Sequence, residues 1–494
     1  MKQKTLFKTI LLTAIISCLF GACKPATTSV ISDEPAIEIA MEATVEAPVE
    51  TTEELPTVAV QEALIVEAEN ATAGDDYIAE IGNRGYDVQQ YNLNITLDPE
   101  TYWVEGVMSI DLISTQDNLQ QISFDLVGLT VSEVLIDNTP VANYFRKEKK
   151  LYIDLAEAVD QDSAHTVSIQ YSGEPVLEQS DYVPFIENLG IQFRDDMLYV
   201  VSEPDGARYW MPVNDHPRDK ASYHMEITIP EKYVAVSNGV LQDTIENDNT
   251  TTYIWDNIEP MASALVTIAV GEYQRVESQS PNGVSLRSYV TAASVDEFTD
   301  MQPLIGEMID WMSEKFGAYP YTEFGYVEVS DIGASLETQS MVIMSEMALF
   351  SESTLCHEMS HMWFGDWVNL DSWSEVWRNE GFATYIALMW EYRDDEAGLD
   401  EYMQQVADSI NGDPYGFPLN NPPAEEMFGR DSYYKGALLV HNLRNEVGDE
   451  AFFTGLQNYF NEYGGGSASD AQFQAVMEEA SGISLDAFFA EWFE

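Results

Sequence analysis

His357-Glu358-Met359-Ser360-His361 sets two imidazoles four residues apart. On an α-helix, residues at i and i+4 project from one face a turn apart, so both rings can reach one metal ion. Zinc binds such nitrogens readily. Glu358 follows the first histidine, the position from which a carboxylate in an H-E-x-x-H helix takes a proton from an activated water without ligating the metal. Glu380, inside Trp377-Arg378-Asn379-Glu380-Gly381-Phe382-Ala383, stands at a third-ligand distance within an apolar helical stretch. Three protein ligands leave a fourth position open, and an open position implies chemistry rather than a purely structural metal. The pentapeptide alone also occurs on ordinary helices with both histidines solvated or packed. Here the chain holds only six histidines, and a suitably spaced Glu accompanies two of them. The expectation is one zinc per chain on His357, His361 and Glu380, with Glu358 as general base.

The stretches His357 to Gly365 (His-Glu-Met-Ser-His-Met-Trp-Phe-Gly) and Trp377 to Ala383 resemble the zinc aminopeptidases related to aminopeptidase N and leukotriene hydrolase. The resemblance implies an α+β protein, with a β-rich, saddle-like N-terminal domain followed by a thermolysin-like, mainly helical zinc-protease domain. It implies peptide substrates, cleaved one residue from a free N-terminus. It assigns oxyanion stabilisation to the Tyr of a Tyr-x-Lys-Gly sequence, met here by Tyr433-Tyr434-Lys435-Gly436. A phenol donor suits the negative charge that develops on a carbonyl oxygen as a tetrahedral intermediate forms.

The same resemblance implies carboxylates that bind the substrate α-ammonium. Gly333-Ala334-Ser335-Leu336-Glu337-Thr338 corresponds to the family's Gly-x-Met-Glu-Asn loop, which makes Glu337 one anchor while Thr338 and Leu336 replace Asn and Met. Glu203, in Ser202-Glu203-Pro204-Asp205-Gly206-Ala207-Arg208, is the second, with Val201 where Gln is common. Ala387 stands where relatives often carry a carboxylate that orients a ligand, so another group must do that work. Two other classes share the motif. A zinc endopeptidase would not need Glu337 and Glu203, and a catalytically silent surface binding protein would not need Glu358, Glu380 and Tyr433 together.

The elements that must hold these residues change character along the chain. From 77 to 280, Val88, Tyr91, Leu93, Ile95 and Leu97, then Val104, Met108, Ile110 and Leu112, follow a partly alternating pattern around Asp98-Pro99, and Tyr223 to Ile229 is similar. That pattern predicts β-strands. From 281 to 494 the pattern turns helical, with Leu304, Ile305, Met308, Ile309 and Met312 at helical spacing. Trp363, Phe364, Trp367, Trp373 and Trp377 are expected as core around the metal helix. Cys356 is expected as a small buried apolar residue. The resemblance covers 77 to 494 as two domains, without the C-terminal helical roof domain of larger relatives.

At the N-terminus, Lys2, Lys4 and Lys8 precede an apolar run from Ile10 to Phe20, too short to span a bilayer. Gly21-Ala22-Cys23 follows and resembles a lipobox. The expectation is a lipoprotein-type signal peptide over 1–23, with Cys23 as lipid attachment site and Cys18 as a second candidate. This predicts an exported, cell-surface or periplasmic lipoprotein anchored to a bacterial membrane. Residues 24–76, rich in Pro, Thr, Ala, Val and Glu with almost no aromatics, are expected as an acidic disordered tether. The chain carries 85 Asp and Glu against 22 Lys and Arg, a formal charge of −63. Such a surface repels nucleic acid, which is excluded as a partner, and favours cationic peptides by steering. The sequence leaves the oligomeric state open.

Overall fold

The computed structural model describes residues 72–194, 196–411 and 416–493. The expected signal segment, Cys23 and most of the expected tether lie outside the described residues. The end of that tether segment is part of the fold. Asp75 is buried, accepting hydrogen bonds from the backbone of Tyr77 and Ile78 and from Ser372 Oγ, and lies 3.1 Å from His216 Nε2.

An eight-stranded sheet forms the platform of the first half. Its centre pairs Tyr86–Asp98 antiparallel with Trp103–Ser114 and parallel with Lys220–Pro230. The inward residues of the first two strands are those expected, Tyr91, Leu93, Ile95 and Leu97 facing Val104, Met108, Ile110 and Leu112. The alternation is only partial because a β-bulge lies between Val88 and Gln90, which shifts the face on which Val88 is buried. A three-stranded sheet and a four-stranded sheet (Val234–Ser237, Ile268–Gly271, Leu198–Val201, Gly190–Phe193) complete this β-rich half.

The second half begins earlier than Pro281. Strand Tyr273–Gln279 pairs with Ser285–Thr291 across the turn Pro281-Asn282-Gly283, where Gly283 adopts φ +95°. The expected division therefore falls inside a hairpin. Ser285–Thr291 then runs parallel to Glu323–Val329, itself parallel to Met341–Ser345. The crossover between the first two is helix α1, Val295–Phe316, which buries Ile305, Met308, Ile309 and Met312. The helices that follow are α2 (Glu352–Ser360), α3 (Trp377–Glu391), α4 (Glu396–Asn411), α5 (Gly436–Val447), α6 (Asp449–Tyr463), α7 (Asp470–Ser481) and α8 (Asp486–Phe493). Helix α3 is buried all round from Trp377 to Trp390, which makes it the central rod of this half. Trp363, Phe364, Trp373 and Trp377 are core residues, Trp367 packs partly buried against them, and Cys356 is fully buried.

One cation joins the halves from within. Lys220 Nζ, on a strand of the large sheet, donates to the carbonyls of Asp366 (2.7 Å), Trp367 (3.1 Å) and Gly466 (3.3 Å). Burial pulls the Lys220 pKa down to about 7, opposed by Asp366. Three carbonyl oxygens are met in full only by an ammonium, so the geometry favours the charged form. No helix among the described residues is long and apolar enough to cross a membrane.

Candidate metal centre

Helix α2 starts where the Ser351 hydroxyl accepts from the Thr354 N–H, leaving one short, capped helix to carry the motif. Leu355, Cys356 and Met359 face the core, which turns His357 and His361 toward α3. His357 Nε2 lies 3.2 Å from Glu380 Oε2, and His361 Nε2 lies 3.8 Å from the same oxygen. Ligand atoms about 2 Å from a tetrahedral zinc stand roughly 3.3 Å apart, so these three donors fit one zinc ion. Two further observations agree. Both ring nitrogens of His361 are buried without a hydrogen-bond partner. Burial, helped by His357, also holds the His361 pKa well below its ordinary value, in the neutral form that ligates metals. Burial likewise pushes Glu380 and Glu358 up to about 8, so a divalent cation among them is what would stabilise their charged forms.

Tyr433 reaches the centre from a π-helical turn, Asp431–Lys435, at the head of α5. Its ring stacks on His357 with centroids 5.8 Å apart at 17°, and it hydrogen-bonds Glu380. Burial, with Glu380 and other carboxylates adding to it, raises the phenol far above its usual pKa, so it is a neutral donor. Two glycines set this distance. A Cβ on Gly381 would fall 2.7 Å from the Gly436 carbonyl carbon, and one on Gly436 would fall 2.9 Å from Gly381 Cα. Helices α3 and α5 thus touch backbone to backbone beside Glu380 and just after Tyr433.

Glu337 and Glu203 meet on the other side. Glu337, before strand Met341–Ser345, has Oε1 3.8 Å from His361 Nδ1. Glu203 follows strand Leu198–Val201 in a turn held by Gly206 N–H on Ser202 O (2.6 Å) and by Trp210 Nε1 on Ser202 Oγ (3.1 Å). Arg208 braces the turn through Asp205 and Glu80. The two carboxyls are both buried and hydrogen-bonded to each other. Burial first, then mutual repulsion, pushes Glu203 well above the carboxylate range, while burial and Glu380 bring Glu337 to about 8. The arrangement brings together every site residue expected among the described residues: three donors for a metal, a buried carboxyl beside them, a phenol donor and an acidic pair suited to a cation.

Residues 88–265 match the peptidase M1 N-terminal domain and residues 304–492 match the peptidase family M1 domain. The chain belongs to peptidase family M1. The M1 chain is 25% identical over 435 residues to probable aminopeptidase 1 of Sulfurisphaera tokodaii, covering 82% of this chain and 52% of that one. It is 24% identical over 443 residues to aminopeptidase M1 of Arabidopsis thaliana, with 82% and 50% covered. It therefore spans about half the length of these relatives. A crystal structure of an M1 zinc metallopeptidase from Deinococcus radiodurans superposes with a TM-score of 0.79 at 26% identity, covering 86% of this chain and 97% of that one. A substituted form of that protein, solved with a Tyr-Ser-Ala substrate, superposes with the same values.

The departures of this M1 chain have local explanations. Thr338 is buried, its hydroxyl donating to Met341 O (2.6 Å) and accepting from Ile343 N–H (3.2 Å), so it closes the turn behind Glu337 and offers nothing to a substrate. Leu336 and Val201 pack in the core. Ala387 is buried in α3, and Tyr433 is a group that hydrogen-bonds one of the ligands, Glu380. The sequence reading passed over Asp366, whose two carboxylate oxygens are buried without partners near Glu337, and Lys220, which reaches its carbonyl. It also passed over the touching glycines. Gly381 directly after Glu380 and Gly436 in Tyr-x-Lys-Gly were the available signals.

Proposed function

We propose that this M1 chain is a zinc aminopeptidase that removes single residues from the free N-termini of peptides. The observation that carries the reading is the hydrogen-bonded Glu203–Glu337 pair beside the His357, His361 and Glu380 donors. An endopeptidase has no use for a buried acidic pair at one end of its site, whereas a peptide ammonium neutralises it.

His357, His361 and Glu380 would hold the zinc ion, which when bound would supply Lewis acidity for the scissile carbonyl and a lowered pKa for water. Glu358 takes the proton from the attacking water and returns it to the departing amine. The Tyr433 hydroxyl donates to the developing oxyanion. Glu337 and Glu203 hold the substrate ammonium, and so fix cleavage after the first residue. The acidic chain favours cationic peptides, an effect that fades with added salt.

Mass analysis of one peptide, offered with a free and with an acetylated N-terminus, tests the reading. Sequential single-residue loss from the free form alone is expected; internal cleavage of both would make the protein an endopeptidase. Replacing Glu358 by Gln is expected to retain zinc and abolish turnover.

We also propose export with lipid at Cys23, supported by Lys2, Lys4 and Lys8 before the apolar run that ends at Gly21-Ala22. Incorporation of labelled fatty acid should disappear in Cys23→Ser, and unchanged labelling would refute the assignment.

A further inference from the structure

His361 carries more unmet bonding capacity than one zinc ion accounts for. Its Nε2 is turned to Glu380, within the donor set already described. Its Nδ1, on the other edge of the ring, stands 3.8 Å from Glu337 Oε1. Both of these atoms, Nδ1 and Oε1, are buried without a hydrogen-bond partner. Their separation is too long for a hydrogen bond and close to the spacing of two ligands around one metal ion.

Glu358 completes a second donor set. One ligand atom each from Glu337, Glu358 and His361 lies within 4.8 Å of the others, and all three residues are buried. Carboxylate oxygens joined by an imidazole nitrogen suit zinc, whereas carboxylates alone suit magnesium or calcium. The charge around this set agrees. Glu203, Glu337, Glu358, Glu380 and Asp366 are all buried, and both carboxylate oxygens of Asp366 lack a partner. Glu337 and Glu358 act on Asp366, and Lys220 is the cation that opposes them. Lys220 and one zinc ion offset three of these five charges, and a second divalent ion offsets the other two.

We propose that the cleft takes a second zinc ion on Glu337, Glu358 and His361 Nδ1 when zinc is in excess, and that this ion inhibits the protein by occupying its amine anchor and its general base. The ring proton of His361 passes to solvent, as metal binding to histidine requires. The inhibition rests on the aminopeptidase reading, and the binding does not.

Calorimetric titration of zinc into the full chain already carrying one zinc tests the site, in excess magnesium so that carboxylates of the acidic surface are occupied. A second event of about one zinc per chain is expected. Glu337→Gln should weaken it at least about 10-fold, while the first zinc, counted by elemental analysis, stays. Should Glu337→Gln fail to fold, Glu358→Gln carries the same test. Absence of a saturable second event, or one that is unchanged in both variants, would overturn the site. Steady-state kinetics reads the inhibition: at the zinc concentration that fills the second site, KM for a free-N-terminus peptide should rise, and unchanged kinetics would refute the inhibitory role. A chain that takes up the second zinc yet cleaves neither the free nor the acetylated peptide would keep the site and refute the aminopeptidase reading.

Discussion

Glu337 and Glu203 share a hydrogen bond between their carboxyl groups, although one comes from the helical half and the other from the β-rich half. Two buried acids that close hold a proton between them, and an arriving ammonium takes its place. Glu337→Gln is expected to lower kcat/KM on free-N-terminus peptides roughly 10- to 100-fold, the value of a charge-assisted hydrogen bond. Steady-state kinetics should place most of the loss in KM. An unchanged KM would detach Glu337 from amine binding.

Tyr433→Phe removes one donor and little else, because the ring stays stacked on His357. A fall in kcat of about 10²- to 10³-fold is expected, as for loss of one oxyanion donor. Zinc content, measured by elemental analysis, should stay near one per chain. Parallel loss of zinc would instead assign the phenol to holding Glu380.

Gly381→Ala drives a methyl group into the Gly436 backbone. Overpacking of this kind costs about 1–3 kcal/mol. The thermal transition should fall, and residual activity should fall further than stability, since Glu380 and Tyr433 move together. Wild-type kinetics in a folded Gly381→Ala protein would show that the helix contact does not set the site.

Much of this was readable in the chain. Ile305, Met308, Ile309 and Met312 mark α1 by spacing alone, and His357, His361 and Glu380 announce a metal because few other patterns place those side chains together. What was hidden depends on partners far along the chain. Nothing in Tyr86–Asp98 says that it pairs in parallel with Lys220–Pro230, because strand pairing is chosen by the assembled core. The position of Tyr433 rests on a π-helical turn, whose period differs from the 3.6 residues that hydrophobic spacing reveals. Pro281-Asn282-Gly283 looked like a boundary and is a hairpin turn, since the same residues serve both purposes.

Zinc removal has a stability consequence. A ligand that binds the folded form stabilises it by mass action, about 4 kcal/mol at a thousandfold excess over Kd. Chelation should lower the melting temperature by several degrees, and graded zinc should restore it in step with the logarithm of its concentration. Glu380→Ala should abolish that dependence.

Asp75 supplies a pH signature away from the metal. Burial alone would raise its pKa, but hydrogen bonds with His216, the Tyr77 N–H and Ser372 outweigh burial and bring it down to about 2 from an ordinary 3.8. A depressed carboxyl pKa favours the folded state above the unfolded value, so this contribution is complete above about pH 4 and disappears as pH falls toward 2. Calorimetric melting at pH 6 and pH 3 should show a smaller difference in Asp75→Asn than in the wild type. An equal difference would place the acid sensitivity elsewhere.

The ammonium of Lys220, a part-buried residue, rests on carbonyls of the loop that follows the zinc helix. Surface charges on this chain repel one another and are screened within a Debye length by added salt, whereas a buried joint is screened far less. Added salt should therefore weaken repulsion at the periphery of the molecule more than it weakens the contact that Lys220 makes between the two halves.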